Sequence, residues 1–282
     1  MTFPLIKKTT TGSKLLIFLL LFVFGMVFGS VLGMLVTGMT GSSLSEAGTM
    51  QLMQAISQII GFIIPPLAYV ALVKEEPLNA LGFKKLPAWS LLGTVAMFTV
   101  IPFNNALAEW NEGMNLPETL RMFEDMAQQV SEQMLNEGNF FTNILIFGAL
   151  AAFSEELLFR SVIQKALIRV FNNPHIGIVV TAILFSAVHM EFFGFFPRLM
   201  LGLMLGYMFW MSGSIWSSML MHFVNNSTVV VLYFLNNKGI IDIDADHFGS
   251  TDNIFVIVLS LMVTVAIFWV CYRFKNKKSI VN

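Results

Sequence analysis

The sequence predicts an all-α fold, a polytopic membrane helical bundle of about eight transmembrane helices enclosing a polar intramembrane cavity. Three observations carry this reading. The chain is 56% hydrophobic and only 12% charged, against roughly 45–50% apolar and 25% charged in soluble domains, and its mean hydropathy is +0.75. The apolar residues fall in runs close to the roughly 20 residues that cross a bilayer. Ionisable residues inside those runs are few and concentrated. A net charge of -1 offers no basic face for nucleic acid, so none is expected as a partner.

Spanning backbone must satisfy its own hydrogen bonds, so each long uncharged run reads as a helix. The first, 15–36, follows Lys7, Lys8 and Lys14 and exceeds a signal-peptide core without a small-x-small cleavage site, which predicts a retained helix. The second and third cover 51–73 and 89–108, and the fourth 140–165. The fifth and sixth, 175–192 and 197–212, are short, with Gly194 and Pro197 between them, and are expected to be tilted or partly re-entrant. The seventh and eighth cover 214–235 and 253–272. Gly25, Gly29 and Gly33, and again Gly202 and Gly206, repeat at four-residue spacing and read as ordinary close helix contacts. The single cysteine, Cys271, excludes an intramolecular disulfide and a thiolate metal cluster and reads as an inert lipid-facing side chain. Without repeats or long linkers, residues 1–282 form one membrane domain.

Cytoplasmic loops gather Lys and Arg. With eight spans, Lys7, Lys8, Lys14, Lys74, Lys84, Lys85, Lys165, Arg169, Arg273, Lys275, Lys277 and Lys278 fall on one side. The opposite side receives Asp242, Asp244, Asp246 and Asp252, and the acidic 109–139 segment. The expectation is a multi-pass protein of the cell (inner) membrane with both termini cytoplasmic. Leu120, Phe123, Met126, Val130 and Met134 recur at helical spacing, which predicts an amphipathic helix on the exported surface, a lid or cap.

Within the spans, Glu155, Glu156 and Arg160 are the ionisable residues away from helix ends, together with His189 and His222. A charge at mid-membrane costs roughly 2.5–3.5 kcal/mol on insertion scales, so such residues persist where they pair or face water. Adjacent helical positions diverge by about 100°, whereas positions four apart share a face. Arg160 is therefore expected to hold Glu156, leaving Glu155 to face a cavity and bind a water. A salt-bridge cluster that merely locks the fourth helix is the alternative. His222 and Asn226 share a face of the seventh helix, and His189 closes Phe185-Ser-Ala-Val-His189 on the fifth. Two membrane histidines, a carboxylate pair and an amide on three helices read as an assembled site.

These motifs resemble the CAAX-protease and bacteriocin-processing (CPBP, or Abi) family of intramembrane proteases, which includes the Rce1-type prenyl-protein proteases. Its Glu-Glu-x-x-x-Arg is met by Glu155-Glu156-Leu-Leu-Phe-Arg160, its Phe-x-x-x-His by Phe185 to His189, and its His-x-x-x-Asn by His222 to Asn226. The match covers a core of 140–235. The resemblance implies that Glu155 and His189 activate the attacking water and that His222 and Asn226 donate to the oxyanion. Glu156, Arg160 and Phe185 would orient them. It also implies a peptide or protein substrate at the membrane. Glu155, His189 and His222 are acceptable ligands for a divalent metal such as zinc, as the family's metalloprotease label suggests. A metal-free glutamate mechanism uses the same residues and is preferred. Counting along the helices places Glu155 and His222 nearer the cytoplasmic side, where the cavity is expected to open.

Two other readings stay open. A proton-coupled transporter would use the same Glu and His as a relay, but would bring inverted repeats and polar broken helices that are not found. A non-catalytic scaffold or immunity protein of the same fold would keep the polar cluster for packing alone.

Overall fold

The computed structural model describes residues 11–40, 46–73, 80–243 and 248–275. Ten helices organise them, with no strand among the described residues. In chain order they are α1 (Thr11–Thr40), α2 (Ala47–Leu72), α3 (Ala88–Thr99), α4 (Ile101–Glu112), α5 (Glu118–Glu137), α6 (Phe140–Phe171), α7 (Pro174–Ala187), α8 (Phe195–Ser212), α9 (Ile215–Asn237) and α10 (Ile254–Phe274). All eight expected runs contain helix, but the helix of the fifth ends at Ala187, so His189 lies beyond it rather than on it. Five of them, α1, α2, α6, α9 and α10, are long and apolar enough to span a membrane on their own.

The other three depart from the expectation in instructive ways. The run 89–108 is two helices, α3 and α4, bent by 47°. Pro102 supplies the reason, because it has no N–H to donate to the Phe98 carbonyl one turn earlier. The helices α7 and α8 are 14 and 18 residues long, and they pack closely against each other. A Cβ on Gly202 would lie 3.1 Å from Ala182, and one on Gly206 2.9 Å from Ile178. The first-helix glycines do the same work, Gly25 facing the Ile60 carbonyl of α2.

Local chemistry sets the turns that place the site. Asn172 takes a left-handed φ of 48°, ending α6. The Asn173 side chain then accepts from the N–H groups of His175 and Ile176, with Pro174 in the first turn of α7. Gly213, at φ 69°, ends α8, and Ser214 opens α9. Both connections are therefore tight, and α6 to α9 are forced into neighbouring positions.

The lysine-bearing segments meet at one end of the bundle. Lys165 Nζ donates to Ala80 O at 2.8 Å, and Ser214 Oγ to Lys84 O at 2.7 Å. At the other end Asn237 Nδ2 donates to Asn136 Oδ1 at 3.0 Å, beside α5. Lys7, Lys8, Lys74, Asp244, Asp246, Lys277 and Lys278 lie outside the described residues. The amphipathic helix expected within 109–139 is α5. Part of its apolar surface points outward, with Met122, Phe123 and Met126 more than half exposed, as suits a helix lying at a bilayer surface, while Met134 of the expected stripe is buried.

The core is built around α6, where Leu157, Leu158, Phe159 and Arg160 are almost completely enclosed. Cys271 corrects an expectation. It does not face lipid but is fully buried with Met208 and Met211. It belongs to the inward face of α10, which also carries Ser260 to Phe103 N at 3.1 Å and Thr264 to Thr99 at 2.8 Å.

Candidate active site

The helix α6 is not uniform. Two π-type stretches, Ile144–Leu150 and Phe159–Gln164, bracket the regular turn pair Ala151–Leu158 that carries both glutamates. Such widened turns recur at functional sites because they re-aim side chains that a regular helix would turn away. Here Glu156 and Arg160 still meet, Arg160 Nε donating to Glu156 Oε2 at 3.0 Å with both side chains wholly buried. Desolvating such a pair costs several kcal/mol, so further partners are needed. They are present on the carboxylate side, where His222 Nδ1 stands 3.2 Å from Glu156 Oε1; the Arg160 guanidinium lies 5.1 Å from the centre of the Phe185 ring, and its Nη1 and Nη2 are buried without a hydrogen-bond partner.

Glu155 points elsewhere. Its Oε2 stands 3.8 Å from His189 Nε2 and 3.8 Å from His222 Nε2. That oxygen is buried and has no hydrogen-bond partner in the protein. Three helices, α6, α9 and the end of α7, thus aim one carboxylate and two imidazoles at a common point.

Residues 137–228, about a third of the chain, match the family model described as Rce1-like, type II CAAX prenyl endopeptidase. The chain carries an Rce1-like domain. No curated protein and no solved structure matches it. The matched family is one of CAAX-type proteases, and the segment contains every residue expected at the site, from Glu155 to Asn226.

Phe185 explains the spacing of the second motif in the Rce1-like domain. Its ring is buried between the two histidines, with centroids 5.2 Å from His189 and 5.7 Å from His222. The Phe185 carbonyl also receives the His189 Nδ1 contact at 2.8 Å. A carbonyl only accepts, so Nδ1 carries the proton and Nε2 presents its lone pair toward Glu155.

Asn226 meets the site less directly. Its Nδ2 donates to Phe147 O at 3.0 Å, in the first π-type stretch, and its Oδ1 accepts from Asn225. A primary amide has two N–H groups, so one remains for another acceptor. Gly148 permits this proximity, since a Cβ there would come within 2.6 Å of Ser227 Oγ.

The residues do not fit a bound zinc. Donors at zinc bond lengths sit about 3.3 Å apart around a tetrahedral ion, and Glu155 is 3.8 Å from each imidazole. Among the described residues no three His, Cys, Asp or Glu side chains are disposed to hold a metal ion. Glu155, His189 and His222, the possible ligands if a metal is used, are not grouped in that way. His189 is also the most exposed of the site histidines, and it stands at the α5 end of the bundle.

Sequence reading missed two buried polar residues outside the Rce1-like domain. Asn111 on α4 and Glu124 on α5 both bond the turn that follows His189. A signal for Glu124 was available: it lies on the face of α5 shared by Leu120, Ala127 and Ser131, the half-buried side of that helix.

Proposed function

We propose that the protein is an intramembrane endopeptidase that hydrolyses a peptide bond of a membrane-associated protein or peptide. The observation that carries this is the 3.8 Å approach of Glu155 Oε2 to the Nε2 atoms of both His189 and His222. A gap of that width between an acceptor oxygen and two imidazole nitrogens suits a water held among them.

In this reading Glu155 takes a proton from the water as its oxygen attacks the scissile carbonyl carbon, and His189 Nε2 orients the nucleophile. The carbonyl oxygen becomes an oxyanion, to which Asn226 offers its second N–H and His222 its Nε2–H. With Nδ1–H given to Glu156, His222 would donate at Nε2 only as the imidazolium, whose counter-charge would be the Glu155 carboxylate and then the oxyanion, since Arg160 already balances Glu156. The proton taken by Glu155 passes to the leaving amine. Every step uses protein side chains alone.

The 1–282 chain acts as one membrane domain whose 140–235 core carries the chemistry, in the cell (inner) membrane with both termini cytoplasmic. The lysine-rich end of the bundle then faces the cytoplasm. A scaffold or immunity protein of the same fold is the second reading, favoured by the buried Glu156–Arg160 pair, which would serve packing equally well.

Purified wild-type and Glu155→Ala proteins, incubated with a peptide library in lipid nanodiscs and assayed for bound metal, separate the two. Cleavage by the wild type that is lost in the variant, at equal expression, is the expected result. Equal behaviour of both proteins would reject hydrolysis at this site.

A further inference from the structure

His189 stands beyond the last turn of α7, which ends at Ala187. Its own N–H reaches Ser186 O at 3.3 Å, and Met190 after it takes a left-handed φ of 57°, a conformation that few residues other than glycine adopt. Its place depends on the turn 188–194 rather than on helix geometry. That turn is held from outside by two side chains far away in sequence.

Glu124 accepts Phe192 N at 2.7 Å with one carboxylate oxygen and Phe193 N at 2.9 Å with the other. Asn111 completes the hold, donating to Phe192 O at 2.6 Å and accepting from Phe196 N at 3.2 Å. Both side chains are buried, Glu124 at 7% and Asn111 at 3% exposure. An acid placed inward on an amphipathic surface helix is costly unless hydrogen-bonded, and α5 has ample room to turn its acids to water, as it does with Asp125. Arg198 belongs to the same assembly. Its guanidinium pairs with Glu191 of the turn and lies within electrostatic reach of Glu124, Glu155 and His189.

We infer that Glu124 is a positioning residue for His189: its two-oxygen grip on the Phe192 and Phe193 amides, completed by Asn111, sets how closely His189 Nε2 approaches Glu155. This rests on the endopeptidase reading for its effect on rate, but the grip itself does not. The α5 helix is thereby part of the catalytic apparatus, although it lies outside the Rce1-like match.

The test uses the full chain in nanodiscs, with Glu124→Ala, Glu124→Gln and Asn111→Ala, and Asp125→Asn, an exposed acid of α5, as control. Hydrogen exchange at the Phe192 and Phe193 amides is expected to accelerate by about 10–100-fold in Glu124→Ala, the loss of a charge-assisted bond to a buried group. Peptide cleavage is expected to lose about 10–100-fold in kcat with KM within about threefold, because the nucleophile's partner is misplaced while the binding surface stays. Glu124→Gln keeps one acceptor oxygen and should fall between, a graded rescue that a general folding defect does not produce. Unchanged exchange in Glu124→Ala overturns the grip, and fast exchange with wild-type kcat overturns the positioning. If wild-type protein cleaves no peptide, the endopeptidase reading has failed and exchange alone decides the grip. Should Glu124→Ala not fold, Glu124→Gln and Asn111→Ala carry both readouts.

Discussion

His222 Nδ1 lies 3.2 Å from Glu156 Oε1, and this one contact determines what the other edge of the imidazole can do. A carboxylate accepts, so the ring gives its Nδ1 proton to Glu156 and turns Nε2 toward Glu155. The buried Glu156–Arg160 pair is therefore more than ballast. It fixes the tautomer and the tilt of a ring whose other nitrogen points at Glu155.

Removing one member of that pair should be costly. Arg160→Leu leaves Glu156 charged, wholly buried and supported by His222, and about 3–5 kcal/mol of stability is expected to be lost. Thermal unfolding in detergent measures it. The double variant Glu156→Leu/Arg160→Met should recover much of the stability but none of the cleavage, since His222 loses its orienting acceptor.

Asn226→Ala is expected to lower kcat by about 10²–10³-fold, the usual effect of deleting one oxyanion donor, with little change in KM. Steady-state kinetics on a cleaved peptide decide this. An equal loss in KM alone would reassign Asn226 to substrate binding or to its bond with Phe147.

Phe185→Ala should empty the space between both imidazoles and the Arg160 guanidinium. A destabilisation of about 3–5 kcal/mol is expected for so enclosed an aromatic ring. Phe185→Leu, which keeps most of the volume, should retain the fold while lowering activity, and comparing melting temperature with turnover in the two variants checks the difference.

Gly177→Ala is the smallest informative change. A Cβ there would come within 2.7 Å of the Ile168 backbone nitrogen, an atom that cannot swing aside as a side chain can. The α6–α7 contact must open, at an expected cost of about 1–3 kcal/mol. Because α7 leads to His189, cleavage should fall further than stability does, which parallel unfolding and kinetic measurements would reveal.

Much of the site was legible in the sequence because it is written in helical spacings. The four-residue interval from Glu156 to Arg160 predicts the ion pair that is observed, and the divergence of neighbouring helical positions predicts that Glu155 turns away from it. Phe185 to His189 also became contacts, ring against ring and carbonyl to imidazole. Part of what escaped lies where spacing is silent. The bond from Glu124 to the turn at Phe192 joins segments 68 residues apart, and no local period encodes it. The burial of Cys271 had a signal that was not used: Ser260, Thr264 and Cys271 share one face of the otherwise apolar α10, and that face packs inward. The bend at Pro102 was visible as a residue but masked by the continuous hydropathy of the run around it.

The shortness of α7 has a bearing on the surrounding membrane. Its 14 residues rise only about 21 Å, at 1.5 Å per residue, while a bilayer's hydrocarbon slab is about 30 Å thick. Acyl chains beside a helix of this length would have to shorten to meet it, with the leaflet dipping at its end. In the proposed endopeptidase such a dimple would bring the aqueous phase closer to Glu155, so that cleavage would respond to the thickness of the surrounding lipid.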